Sequence, residues 1–122
     1  MKYQGNKTKE ISFPLGGIGT GSIGLAGNGS LIDWEIYNRP NKGSINSKTC
    51  FALRAQYPDG KVVTKLLLGD WTKNLIGQYV KRDFAGYGYG PSADTMCAFP
   101  HFQKVTFDGQ FPVAKLTFED DH

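Results

Sequence analysis

Asp33-Trp34-Glu35 sets two carboxylates two residues apart. On a β-strand, residues i and i+2 share a face, so the pair would stand about 7 Å apart. That separation falls near the roughly 6.5–9.5 Å used by inverting glycoside hydrolases. An ordinary strand with a polar, solvated or ion-paired face gives the same pattern without chemistry, and it is the preferred reading. Trp34 is then expected on the opposite, core-facing side.

Gly19-Thr20-Gly21-Ser22-Ile23-Gly24 matches G-x-G-x-x-G. A dinucleotide site needs this turn to open a helix whose N-terminus holds the pyrophosphate. Leu25-Ala26-Gly27-Asn28-Gly29 would break such a helix at once, and no βαβ pattern follows. The glycines instead suit a turn and strand that another backbone approaches closely. Ser22 lies in G-S-I-G rather than G-x-S-x-G, so a nucleophile elbow is not indicated. His101 and His122 have no nucleophile nearby in sequence, and His101 reads as a hydrogen-bonded residue at a strand start. Cys50 and Cys97 lack CxxC spacing and a companion His pair, which argues against zinc; whether they pair is left open. No catalytic residue, cofactor or metal ligand is therefore assigned. The aromatic set Trp34, Tyr37, Trp71, Tyr79, Tyr87 and Tyr89 could stack on sugar rings or fill a core. Trp34, Tyr87 and Tyr89 are the candidates for sugar or domain-interface contacts.

The elements that must position these groups are strands. With 16 Gly and six Pro in 122 residues, the chain is rich in turn formers, and period-two alternation recurs where helical periodicity does not. Residues 49–57, the turn Pro58-Asp59-Gly60 and residues 61–68 predict a hairpin. Residues 102–107 and 111–118 predict another, turning at Asp108-Gly109. Residues 22–26 and 30–37 predict a third about Gly27-Asn28-Gly29. Residues 38–48 and 69–100 read as irregular. The second stretch is expected to hold a short strand over residues 78–82 and the loop Gly86-Tyr87-Gly88-Tyr89-Gly90-Pro91. The fold class expected is all-β, an antiparallel β-sandwich. The six or so strands fall short of the roughly seven to nine of familiar sandwiches, so an incomplete sandwich is expected.

The net charge of +3 is spread among acidic residues without a basic stripe, so no nucleic-acid partner is expected. No stretch is apolar enough for a membrane span. Residues 1–10 are polar and lack the apolar middle of a secretory signal, which favours the cytoplasm and leaves the compartment open.

Two segments are specific beyond these patterns: Phe13-Pro14-Leu15-Gly16-Gly17-Ile18-Gly19-Thr20-Gly21-Ser22-Ile23-Gly24 and Asp33-Trp34-Glu35-Ile36-Tyr37-Asn38-Arg39-Pro40. Together with Phe99-Pro100-His101-Phe102, Phe111-Pro112-Val113-Ala114 and Leu116-Thr117-Phe118, they resemble the N-terminal domain of glycoside hydrolase family 116. That family includes the non-lysosomal glucosylceramidases and related microbial β-glucosidases. The resemblance implies that residues 1–122 are part of a supersandwich-like N-terminal domain in a larger two-domain glycosidase. It implies a C-terminal helical catalytic domain as partner, a β-linked glycoside as the parent enzyme's substrate, and retaining hydrolysis through a covalent glycosyl-enzyme. No catalytic residue of that family falls on this sequence. An independent carbohydrate-binding module using Trp and Tyr platforms is the alternative.

Overall fold

The computed structural model describes residues 1–17, 19–44, 49–69 and 99–121. Eight strands are found among them: β1 (Lys2–Gln4), β2 (Ser12–Gly17), β3 (Gly21–Ala26), β4 (Leu31–Ile36), β5 (Ala52–Gln56), β6 (Val62–Leu66), β7 (Lys104–Gln110) and β8 (Val113–Glu119). A single 3₁₀ turn, Gly5–Thr8, joins β1 to the loop before β2. The strands form three antiparallel sheets, ordered β1-β7-β8, β2-β3-β4 and β5-β6. The all-β expectation holds.

The two three-stranded sheets share one core. Alternation along β2 and β3 turns Phe13, Leu15, Ile23 and Leu25 inward, where Leu25 and Leu31 meet Phe107 of β7. The Phe13 and Phe107 rings lie 6.1 Å apart between centroids and are tilted, a favourable aromatic arrangement. Tyr3, Ala114 and Leu116 complete the layer from the other sheet, and Trp34 packs against it on the expected core side, sharing that side with Leu31 because the register of β4 shifts between them. Burying each large side chain contributes about 1.5–3 kcal/mol, so this facing pair of sheets holds most of the stabilisation.

The third sheet joins through backbone bonds and ring contacts. Gly69 N–H donates to the Asn28 carbonyl at 2.8 Å, Leu66 N–H to Pro100 at 2.8 Å, and Phe102 N–H to Leu68 at 2.9 Å. Lys65 forms an ion pair with Asp120 and sits 5.3 Å over the Phe102 ring, which in turn stacks on Phe118.

Two hairpins follow their sequence signals. β3 and β4 pair about the Gly27-Asn28-Gly29 turn, where Asn28 Oδ1 accepts from the Ser30 amide and hydroxyl. β5 and β6 pair about Pro58-Asp59-Gly60. The third hairpin needs a correction. Asp108 and Gly109 lie inside the ladder, opposite Lys115 and Ala114, and the connection is Phe111-Pro112. A turn at Asp108-Gly109 would have put Pro112 within the strand, where it has no N–H for the ladder. The observed register sets Val105 against Phe118 and Phe107 against Leu116, which preserves the apolar face. β1 and β2 were not anticipated as separate strands. β1 is polar and gains its place only by pairing with β7, Tyr3 opposite Phe107.

Candidate functional site

β4 does not run straight through Asp33-Trp34-Glu35. Ser22 pairs with Glu35 and Gly24 with Ile32, so two residues of β4 oppose Ile23 alone. This is a β-bulge, and Asp33 absorbs it with φ of 51°, a conformation that Asp tolerates better than most residues. The close approach expected of the glycines is present here. Gly16 and Gly21 have φ of 134° and 95°, and side chains there would run into the carbonyls of Gly21 and Glu35.

The bulge turns the Asp33 carboxylate into a buried hub, 1% exposed. Oδ2 accepts the Ser12 hydroxyl at 2.6 Å, and Oδ1 accepts the Gly43 amide at 2.7 Å. The Asp33 and Trp34 amides donate to the Ser44 carbonyl (2.9 Å) and hydroxyl (2.7 Å). Glu35 Oε1 accepts the Asn41 amide at 3.3 Å, and the Asn41 side chain donates to the Trp34 carbonyl at 3.2 Å. Lys42 joins the two acids, its Nζ 3.6 Å from Asp33 Oδ2 and 3.1 Å from Glu35 Oε2. The hydrogen bond to Glu35 chiefly raises the Lys42 pKa above the usual lysine value; desolvation opposes the rise and the Asp33 charge assists it.

The two carboxylates therefore share a face, as the spacing predicts, and both are occupied. An acid/base pair needs one carboxyl to hold a proton towards open space and the other to reach the substrate. Here a lysine ammonium stands at both acids, and the buried one has acceptors filled on each oxygen. The arrangement clamps residues 41–44 onto β4. Ser12, Asn41, Lys42 and Ser44 were not singled out from sequence, because their roles depend on a loop folding back and on a strand 21 residues away.

The remaining candidates fall in different places. Trp34 is half-buried against the core, its indole N–H donating to the Leu31 carbonyl at 3.2 Å. Tyr87 and Tyr89 lie outside the described residues, as do Trp71, Tyr79, Cys97, His122 and the strand expected over residues 78–82. Tyr37 is 85% exposed. His101 Nδ1 lies 2.9 Å from the Phe99 carbonyl oxygen, and its backbone bridges to Leu66, in keeping with a residue at a strand start. The G-x-G-x-x-G segment runs from a turn into β3 rather than into a helix.

Two depressions mark the surface of the described residues. One, of about 290 Å³, lies between the 3₁₀ turn and β7 and is lined by Gln4, Thr8, Lys9, Asn28, Gln103 and Lys104 among others. The other is an open groove of about 730 Å³ with Gly16, Gly17, Gly19, Glu35, Asn38 and Arg39 in its walls. No group of acidic, His and Cys side chains suited to a metal occurs among the described residues, and none of their helices is long and apolar enough to cross a membrane.

No curated protein matches the chain. Residues 12–122 match the family described as beta-glucosidase 2, glycosyl-hydrolase family 116 N-term. With nearly the whole chain covered, strands arranged as that resemblance implies and both signature segments in one sheet, this chain belongs to the N-terminal domain family of glycosyl-hydrolase family 116.

Proposed function

We propose that this chain is a non-catalytic β-sandwich that supports a helical catalytic domain of the same retaining β-glycosidase. One observation carries the reading: among the described residues, the paired carboxylates on the face of β4, Asp33 and Glu35, are held by Lys42 and the loop it anchors. Chemistry on a β-linked glucoside is then supplied by carboxylates elsewhere in the enzyme.

The test compares this chain alone with the product of this and the downstream coding region, on a chromogenic β-glucoside. Turnover is expected only from the longer product, and Glu35→Gln is expected to leave its kcat unchanged. Turnover by the short chain, lost on Glu35→Gln, would overturn the reading. A carbohydrate-binding module is the second reading, favoured by the exposed ring of Tyr37. It requires saturable binding of a β-glucoside oligosaccharide by this chain, weakened by Tyr37→Ala, Tyr87→Ala or Tyr89→Ala.

A further inference from the structure

Asn28, in the turn between β3 and β4, is 9% exposed and pinned at two points. Its Oδ1 accepts from the Ser30 amide at 3.0 Å and the Ser30 hydroxyl at 2.7 Å, and its backbone carbonyl accepts the Gly69 amide at 2.8 Å. A backbone N–H can only donate, so the side-chain amide has one orientation, with Oδ1 on Ser30 and Nδ2 on the other side of Cγ. Nδ2 carries two N–H donors, and neither has an acceptor among the described residues. Buried polar groups are paired in the great majority of cases, so a donor held this firmly calls for a ligand.

Asn28 lines the cavity of about 290 Å³ between the 3₁₀ turn and β7. The walls of that cavity are fixed by the fold. Gly27 lies directly against Thr8, whose carbonyl and side chain a Cβ would strike, so the β3–β4 turn and the 3₁₀ turn meet at close range. Thr8 Oγ1 donates to the Gly5 carbonyl at 2.8 Å and holds the 3₁₀ turn in shape. Gln4 Nε2 donates to Thr106 Oγ1 at 2.7 Å, which ties β1 to β7 and leaves Gln4 Oε1 as an acceptor. A donor on a residue already immobilised by its own turn costs little entropy to engage.

The chemistry of the wall selects among ligands. Val105 is its one large apolar side chain, while Gln4, Asn28 and Gln103 supply carboxamides, each able to donate and accept. The charges nearly cancel: Lys104 is paired with Asp121 at 2.7 Å, and Lys9 and Glu119 carry opposite signs. An anion would meet the Glu119 carboxylate, and an apolar ligand would leave Nδ2 stranded. A neutral polyhydroxy compound answers donors and acceptors alike. The volume lies at the lower end of the roughly 300–1,000 Å³ of small-molecule sites, which suits a single ring. We propose that this cavity binds one neutral sugar ring, a hydroxyl of which accepts from Asn28 Nδ2 while others donate to Gln4 Oε1 and Glu119. The site goes beyond the supporting role proposed above. It also differs from a module built on the Tyr37 ring, because it holds the sugar by carboxamides.

The test titrates glucose by calorimetry into the product of this and the downstream coding region. That product is first treated with a 2-deoxy-2-fluoro-β-glucoside, which traps the glycosyl-enzyme of a retaining mechanism and so closes the catalytic site to glucose. Asn28→Asp keeps an oxygen for Ser30 and replaces only the free donor, so the turn is retained while glucose binding weakens by about tenfold. Glu119→Ala, at an exposed position, should weaken it by about threefold. Tyr37→Ala and Arg54→Ala, both away from the cavity, should leave it unchanged. Absence of saturable glucose binding, or wild-type affinity in both cavity variants, would overturn the proposal. So would loss of binding in Tyr37→Ala alone, which would move the sugar to that ring. Saturable binding of inorganic phosphate in place of glucose would make the cavity an anion site and overturn it equally. If the long product neither turns over a β-glucoside nor traps the inactivator, the function proposed above falls, and the glucose titration still decides this site. Should Asn28→Asp fail to fold, Glu119→Ala decides it alone.

Discussion

The hairpins β5–β6 and β7–β8 come from similar sequence and end in opposite circumstances. Each alternates, each contains an Asp-Gly pair, and each forms an unbroken antiparallel ladder. In β5–β6 the turn is satisfied locally: Tyr57 N–H donates to Lys61, Gly60 N–H to Tyr57, and the Lys61 amide to Asp59 Oδ1. Yet four of the five residues of β5 are exposed. In β7–β8 the Asp-Gly pair is inside the ladder, while Val105 and Phe107 are buried, Phe107 against Leu25 and Leu31 of the opposite sheet. Local turn chemistry marks where the chain doubles back in β5–β6 but not in β7–β8, where sheet-on-sheet contact sets the register and bears the load of stability.

Substitutions at the two hairpins put that contrast to the test. Phe107→Ala should cost about 3–5 kcal/mol, because the ring is 2% exposed and lies between both sheets. A denaturation midpoint close to wild type would show that the shared core is not what holds the fold. Asp33→Ala should follow at about 3 kcal/mol, since it removes a buried carboxylate and strands the Ser12 and Gly43 donors along with Lys42. Asp33→Asn should lose less, as an amide can still accept from Gly43 and keeps the tolerance for positive φ. If Asn is as damaging as Ala in urea melts, charge rather than hydrogen bonding dominates at the bulge. Leu53→Ala should change stability by no more than about 0.5 kcal/mol, its side chain being 48% exposed. A larger loss would mean that the β5–β6 face is covered by something else.

The smallest expected effect is a pH dependence. The raised Lys42 pKa means that its contribution to the loop clamp is present in full below the unfolded value of 10.5 and is lost as pH climbs through the folded value. Alkaline titration above pH 10.5 should shift the carboxyl ¹³C resonances of Asp33 and Glu35, and Lys42→Met should remove that step. A step that persists in the variant assigns it to another group.

What could be read from sequence follows the range of the interactions involved. The Gly27-Asn28-Gly29 and Pro58-Asp59-Gly60 turns were readable because a few adjacent residues determine them. The turn in β7–β8 was misplaced because Asp108-Gly109 carries the stronger local signal, and the register is decided by pairing Phe107 with Leu116. β1 was missed because Lys2-Tyr3-Gln4 has no strand character without β7 beside it. The spacing of Asp33 and Glu35 predicted their common face. It could not predict the bulge or the loop that occupies them, since Ser12, Lys42 and Ser44 arrive from outside the strand.

The pairing of β1 with β7 also sets an order of events. Lys2 meets Asp108 and Gln4 meets Thr106, so β1 has no partner until more than a hundred further residues have been made. The β2–β3–β4 meander closes short loops and can assemble while most of that chain is still to come. On the ribosome, the first three-stranded sheet to form is therefore the one containing the Asp33 bulge, while residues 2–4 wait. Pulse-labelled amides in a refolding experiment should become protected in β3 before β1.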